Sequence, residues 1–397
     1  MDHLPFHAHR WKYLLATVPL LLLWTGVAAA APAGAAVNSP GAVYTMTNEA
    51  TGNRVITFDR AADGTLAPAG SIATGGTGSG MFENSDNNMV LSDGSPGLLE
   101  GGDRFLFALN AGSNTVTSFL VRPAGLVVAD MQPSGGVRPV SVTYHKPFLY
   151  ILNSVASQCE GGAPSISGFT VGNQGQLTPI PGSTRTVAGG ALSGCAQISF
   201  NPRGSVLVVS EKTSNQFDTY LVGKDGLTTG PIVYNQGAAD LGPFGFTFNH
   251  RGQLLTTENG GALALQGGAA SYTLQDDGTL VPISQNVRNG QTDTCWAVNT
   301  DDGKYVYMTN FQSGDITSYS VNPDGSLVLL NPIAAVLGGP ESGAEDLALS
   351  NNSQYLYARV LSDGTIHSFD VEPDGSLTPI QVIAGIPPLS AIGLAAR

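Results

Sequence analysis

Residues 301–327 read DDGKYVYMTNFQSGDITSYSVNPDGSL, a unit that recurs along the chain. It contains a turn at Asp302-Gly303, a β-rich run over 304–310, a short polar loop and a second alternating run over 315–321. The hairpin signal Asp324-Gly325 and the apolar Leu327 follow. Equivalent runs are AVYTMTN ending at Asn48, RFLFALN at Asn110, PFLYILN at Asn153, SVLVVSE at Glu211, QLLTTEN around Glu258 and QYLYARV at Val360. Seven copies at a spacing of about 50 residues fall in the range of propeller blades rather than helical repeats. The expected fold is all-β, a seven-bladed β-propeller.

Each later blade opens with a short strand of small residues suited to a crowded central channel. These are NNMVLSDG from Asn87, RPVSVTYH from Arg138, CAQISFNPRG from Cys195, PFGFTFNHRG from Pro243, TCWAVNTDDG from Thr294 and AEDLALSNNS from Ala344. The first blade lacks such a strand at its N-terminal side. The missing copy is LSAIGLAA, 389–396, at the other end of the chain. The C-terminal strand is therefore expected to pair into the first blade and close the ring, which removes an exposed sheet edge. A closed ring is one domain however long it is, so the 397 residues need no subdivision beyond their N-terminal part.

Residues 1–36 stand apart. A basic start at His9, Arg10 and Lys12 precedes an apolar run over 14–27 and a small-residue stretch with A-x-A sites such as 28–30, as in a secretory signal peptide. Residues 37–41 form a linker, and 42–397 the propeller. The expected location is secreted or extracytoplasmic, with no membrane association after cleavage. Without the first 30 residues the chain keeps 15 of its 17 basic and 29 of its 30 acidic residues, a net charge of −14. Such a chain repels phosphate backbones, which argues against nucleic acid as a partner.

The Asp-Gly pairs at 63, 225, 277, 324 and 374 sit where the two outer strands of a blade must turn, and they read as type I′ hairpins rather than metal ligands. No metal site or cofactor is expected. Blade topology puts Cys159 and Cys195 on one face of neighbouring blades, where a disulfide is expected, and leaves Cys295 as a buried free thiol. Among the histidines, His145 and His250 fall at the far ends of inner strands and His367 in a third strand. None is placed as a general base.

In a four-stranded blade the starts of the inner strands and the ends of the second strands meet around one mouth of the channel. The second-strand ends give Asn48, Asn110, Asn153, Glu211, Glu258 and Asn310, with Val360 breaking the pattern. The inner-strand starts add Arg138, Asp293, Glu345 and Asp346. Turn propensity accounts for the asparagines, but it does not account for the two glutamates. Two carboxylates near a channel mouth can divide into an acid and a base. A solvated rim pair, or a salt bridge to Lys212 or Arg138, is the competing account.

Strings such as FDRAADGTLAPAGS (58–71), ALNAGSNTVTSF (108–119), PSGGVRPVSV (133–142), NPRGSVLVVSEKTSN (201–215) and SVNPDGSL (320–327) resemble the seven-bladed lactonase-type propellers. That family includes 6-phosphogluconolactonases and 3-carboxymuconate cyclases, and the resemblance runs from about Gly41 to Arg397. It implies a lactone hydrolase with Glu258 in the place of the family's acidic residue after a second strand, and Glu211 where the preceding blade carries an Asp. The family's Pro-Arg-His at the fifth inner strand is here Pro243-Phe244-Gly245, and its His-bearing fourth inner strand is here Cys195-Ala196-Gln197. Those departures, the export signal and the acidic surface do not suit a cytosolic sugar phosphate. The expectation is a monomeric hydrolase of a neutral or weakly charged lactone. Glu258 would be the acid/base that activates water, Glu211 its partner and Arg138 the group that polarises the carbonyl or holds a carboxylate product, with Asn110, Asn153, Asn310, Asp293 and Glu345 lining the mouth. The alternative is a non-catalytic scaffold that binds a glycan or a protein.

Overall fold

The computed structural model describes residues 41–92, 105–156, 162–237 and 242–397. The expected signal segment 1–36 and Cys159 lie outside them. The described chain forms seven antiparallel sheets, six of four strands and one whose outermost strand is split in two. Among the described residues there is no α-helix, only short 3-10 turns, and no helix long and apolar enough to cross a membrane. Blades two to seven each run from an inner to an outer strand in chain order. Blade one takes its inner strand, Ile392–Ala396, from the C-terminus.

That strand pairs antiparallel with Gly41–Met46, with Thr45 opposite Leu394 and Val43 opposite Ala396. Ala42 and Arg397 exchange backbone hydrogen bonds of 2.9 and 3.2 Å, and Arg60 Nε donates to the Arg397 carbonyl at 3.0 Å. The closure inferred from the missing inner-strand copy is the one observed.

The repeat also shows how neighbouring blades are joined. The tyrosine in the middle of FLYILN, KYVYMTN and QYLYARV points between blades, where a buried hydroxyl requires a partner. Tyr150, Tyr307 and Tyr357 donate to the carbonyls of Gly226, Gly375 and Gly64, at 2.5, 3.0 and 3.0 Å. These carbonyls belong to the Asp-Gly turns of the adjacent blades. The turns themselves differ from the expected type I′. Only the Gly has positive φ, 81° at Gly64 for example, while Asp63 does not. Gly64 N bonds to Ala61 O and Ala61 N to Thr65 O, which is a type I turn followed by a left-handed glycine bulge. The Asp is retained for its carboxylate, which accepts from Thr65 N at 3.1 Å and from Thr65 Oγ1 at 2.6 Å.

Candidate functional site

The second-strand asparagines lie behind the mouth. Asn110, Asn153 and Asn310 are fully buried, and only Asn48 of the four has positive φ. Asn110 Nδ2 donates to Thr115 and Thr117 hydroxyls at 3.0 Å, while its Oδ1 accepts from Thr74 Oγ1 at 2.7 Å. Asn153 repeats this with Ser167 and Ser134, and Asn310 with Asp315, Thr317 and Thr294. An amide both donates and accepts, so at this position it ties the third strand of its own blade to the segment that enters the blade. Turn propensity is therefore not what places these residues, except at Asn48.

In blade four the same node is built from acids. Glu211 is fully buried. Its Oε2 accepts from Gly189 N at 3.0 Å, and its Oε1 from Gln216 Nε2 at 2.9 Å. Asp218, seven residues past Glu211 in the third strand, accepts from Ala188 N at 2.6 Å and Tyr220 Oη at 3.2 Å. Burial, and then the neighbouring Glu211 charge, push Asp218 up to about 7. Such a carboxyl keeps its proton in the folded state while the unfolded one loses it near pH 4. Stability contributed here is full below pH 4 and is lost as pH rises from about 4 to 7. Asp218→Asn keeps the acceptor and supplies a permanent donor. The variant is expected to unfold on the order of 1–3 kcal/mol later than the parent at pH 8. That gain should vanish by pH 4 in urea titrations, and a constant difference across pH would refute the assignment.

Glu258 is likewise fully buried, in the matching position of blade five. In blade seven Val360 takes this position, and the charges sit deeper. Arg359 is buried in contact with Glu345 and with Asp346 Oδ2, the latter at 2.8 Å. Asp346 Oδ2 also accepts from Gly393 N of the closing strand, at 3.1 Å. Burial raises the Asp346 carboxyl well above its usual range, and the charge of Asp86 adds to this. Arg359 was not singled out in the sequence; the signal was a charge inside the otherwise apolar run QYLYARV.

Residues 82–88, which lead into blade two, fill the mouth. Ser85 Oγ donates to Val140 O at 3.1 Å, and Asp86 N to Ala196 O at 3.0 Å. Val142 N donates to Asn87 O at 2.8 Å, and Trp296 Nε1 to Ser85 O at 3.2 Å. Arg138 grips both carboxylate oxygens of Glu83, with Nη2 to Oε1 2.9 Å and Nε to Oε2 3.1 Å. Lys212 Nζ donates to Asn84 O at 3.2 Å and lies 5.1 Å from the centre of the Phe244 ring. Within this segment Asp86 is driven up to about 7 by burial.

Around it, one backbone position recurs. In blades three to seven the residue before the inner strand is left-handed, and its carbonyl accepts from the residue after the second strand. Blades four, five and seven use Gly194, Gly242 and Gly343 there, as the conformation favours. Blade three uses Arg138 (φ 54°) and blade six Asp293 (φ 62°). A side chain in this region costs about 1–2 kcal/mol. Asp293 is half-buried and accepts from the Cys295 thiol at 3.2 Å. Burial raises its carboxyl above the usual range, and the hydrogen bond from Cys295 and the Lys212 charge oppose this. Cys295 is buried and free as expected, with its thiol pushed well up by burial. Cys195 is disulfide-bonded. An aromatic floor lies beneath: Phe82 stacks on Phe311 at 5.3 Å, Phe311 lies 6.0 Å from the buried Trp296, and Trp296 5.1 Å from the buried Phe244.

The structure thus brings Arg138 and Asp293 to the mouth, buries Glu211, Glu258, Glu345 and the asparagines behind it, and adds Lys212, Glu83 and the aromatic floor. Residues 257–346 match the family described as "Lactonase, 7-bladed beta-propeller". No curated protein matches the chain in sequence. Among solved structures, a Bacteroides fragilis protein proposed to be a 6-phosphogluconolactonase superposes with a TM-score of 0.65 at 16% identity, covering 92% of this chain and 99% of its own. The periplasmic gluconolactonase of Pseudomonas aeruginosa gives 0.64 at 14% identity, with 89% and 99% covered. A hypothetical selenium-binding protein of Sulfolobus tokodaii gives 0.64 at 12% identity, with 91% and 94% covered. At these identities the likeness is one of fold, and it extends beyond lactonases.

Proposed function

We propose that this lactonase-like propeller is an exported hydrolase of cyclic esters, working at the channel mouth. The observation that carries the reading is Asp293, a carboxylate held in left-handed backbone where three other blades have glycine. Strain kept at a site that does not need it for folding points to use of the side chain. Burial moves this carboxyl toward neutrality, as suits a general base, and Lys212 lies close enough for its charge to act on it. In the proposed reaction Asp293 takes a proton from water as the water oxygen attacks the ester carbon. Lys212 stabilises the oxyanion. The ring C–O bond then breaks, and the proton returns to the departing oxygen to give a hydroxy acid.

Asp293 replaces Glu258 and Glu211 as base in this proposal because both glutamates are fully buried. Lys212 replaces Arg138 on the carbonyl because Glu83 holds the Arg138 guanidinium. Glu211 accepts from several donors, so the acid pair is assigned to blade packing. Export is supported by the disulfide at Cys195, a bond that persists in oxidising compartments.

The test is pH-stat hydrolysis of a lactone panel. Asp293→Asn is expected to lower kcat by about 10²–10⁴-fold. Asp293→Gly should lose activity equally and yet unfold no earlier than the parent, because it relieves the left-handed strain. The parent rate should rise with pH along a limb lying above the ordinary carboxylate range, since the base works deprotonated. Turnover that survives in both variants would remove Asp293 from the reaction. Hydrolysis of no lactone would leave a binding protein.

A further inference from the structure

We infer that the lactone taken at this mouth carries an alkyl chain, rather than the hydroxyls or phosphate of a sugar lactone. The inference rests on the hydrolase reading for the ring alone; the surface that would take the chain stands by itself. Among the described residues, the large hydrophobic side chains exposed on loops all lie on the mouth face. They include Met81, Val137, Leu192, Leu263, Leu265 and Leu389, which are 48–73% exposed. They come from the loops before the inner strands of blades one to four and from the loop after the second strand of blade five. Among the described residues, the turns of the opposite face carry none in that exposed set, and present Lys146, Arg203, Arg251, Asp276 and Asp302 instead. Exposed apolar side chains gathered on one face of the ring point to a binding surface there.

The floor agrees with the rim. Phe82 and Phe311 are partly exposed and stacked, and the buried Trp296 and Phe244 support them from beneath. A sugar lactone would need several polar groups, and a phosphate a net positive field. Here the Arg138 charge is matched by Glu83, and Lys212 faces Asp293. What the mouth offers is one charge pair for the ester and aromatic and aliphatic side chains for the remainder, the usual division in a small-molecule site.

The experiment compares γ-butyrolactone, γ-caprolactone, γ-decalactone and glucono-δ-lactone on the full chain, by pH-stat and by fluorescence titration. Trp11 and Trp24 are replaced by Phe so that Trp296 alone reports. The expected result is a kcat/KM that rises about two- to fourfold per added methylene, the range for partial to full burial. Trp296 emission should respond to γ-decalactone at lower concentration than to glucono-δ-lactone. Both Phe311→Ala and the surface variant Leu192→Ser/Leu263→Ser should flatten the chain-length series by about tenfold. Binding of γ-decalactone without hydrolysis would support the inference and overturn the hydrolase reading. Equal use of all the lactones, or preference for glucono-δ-lactone, would overturn the inference and leave the hydrolase reading. Neither binding nor turnover would overturn both.

Discussion

A chain ending at Leu389 is expected to lose the native fold altogether. Removing residues 390–397 strips the inner strand from blade one and uncovers the edge of Gly41–Met46. Ile392 and Leu394 are buried in the closing strand, as are Ala391, Ala395 and Ala396. The two large side chains alone contribute about 1.5–3 kcal/mol each, and the lost backbone pairs add to that. The sum approaches the 5–15 kcal/mol, roughly, that holds an ordinary domain folded. The open edge also presents unpaired N–H and C=O groups to other chains. Size-exclusion chromatography should show aggregate in place of the parent peak. A synthetic peptide covering 389–397, supplied in excess, should restore the native species by mass action. A truncated chain that elutes and melts like the parent would mean that the ring does not depend on this closure.

Arg359→Ala should be the most damaging single substitution, at about 3–5 kcal/mol. The guanidinium is buried against Glu345 and Asp346, and its loss strands two carboxyls where water cannot reach them. Asp346 also holds Gly393 N, so the damage reaches the closing strand. The triple variant Arg359→Met, Glu345→Gln, Asp346→Asn removes every charge at once and keeps an acceptor for Gly393 N. It should recover most of the loss, since uncharged replacements of a buried ion cluster are often close to neutral. Guanidinium unfolding of the two variants checks this. If Arg359→Ala costs less than about 1 kcal/mol, the cluster is solvated in a way its burial does not suggest.

Much of the architecture could be read from residues alone because it is written seven times. The run ending in Asn or Glu, the Asp-Gly turn and the orphan strand LSAIGLAA together fix the blade number and the closure. The site was less legible, for physical reasons that particular residues show. Strand alternation places Asn110 or Glu211 at a strand end but does not say whether the side chain turns to the channel or to the third strand of its own blade. The hydrogen bonds to residues five and seven positions on decide for the latter. The plug, 82–88, lies outside the repeat up to Asn87 and reads as a loop, yet it supplies the buried Glu83 and Asp86. Asp293 was named, as an inner-strand start. What sets it apart, its left-handed backbone, emerges only by comparison with the glycines of the other blades.

The plug has a consequence for how the molecule comes apart. An array of repeats that touch only their neighbours melts piecemeal, as a sum of local terms. Here Trp296 holds a carbonyl 211 positions earlier in the chain, and Val140, Val142 and Ala196 hold the same short segment. The segment acts as a hub joined to blades three, four and six, so none of these can leave without disturbing the others through the centre. Contacts of such long sequence separation form late and slowly, which predicts slow refolding. They also predict a single sharp unfolding transition, with all seven blades lost together.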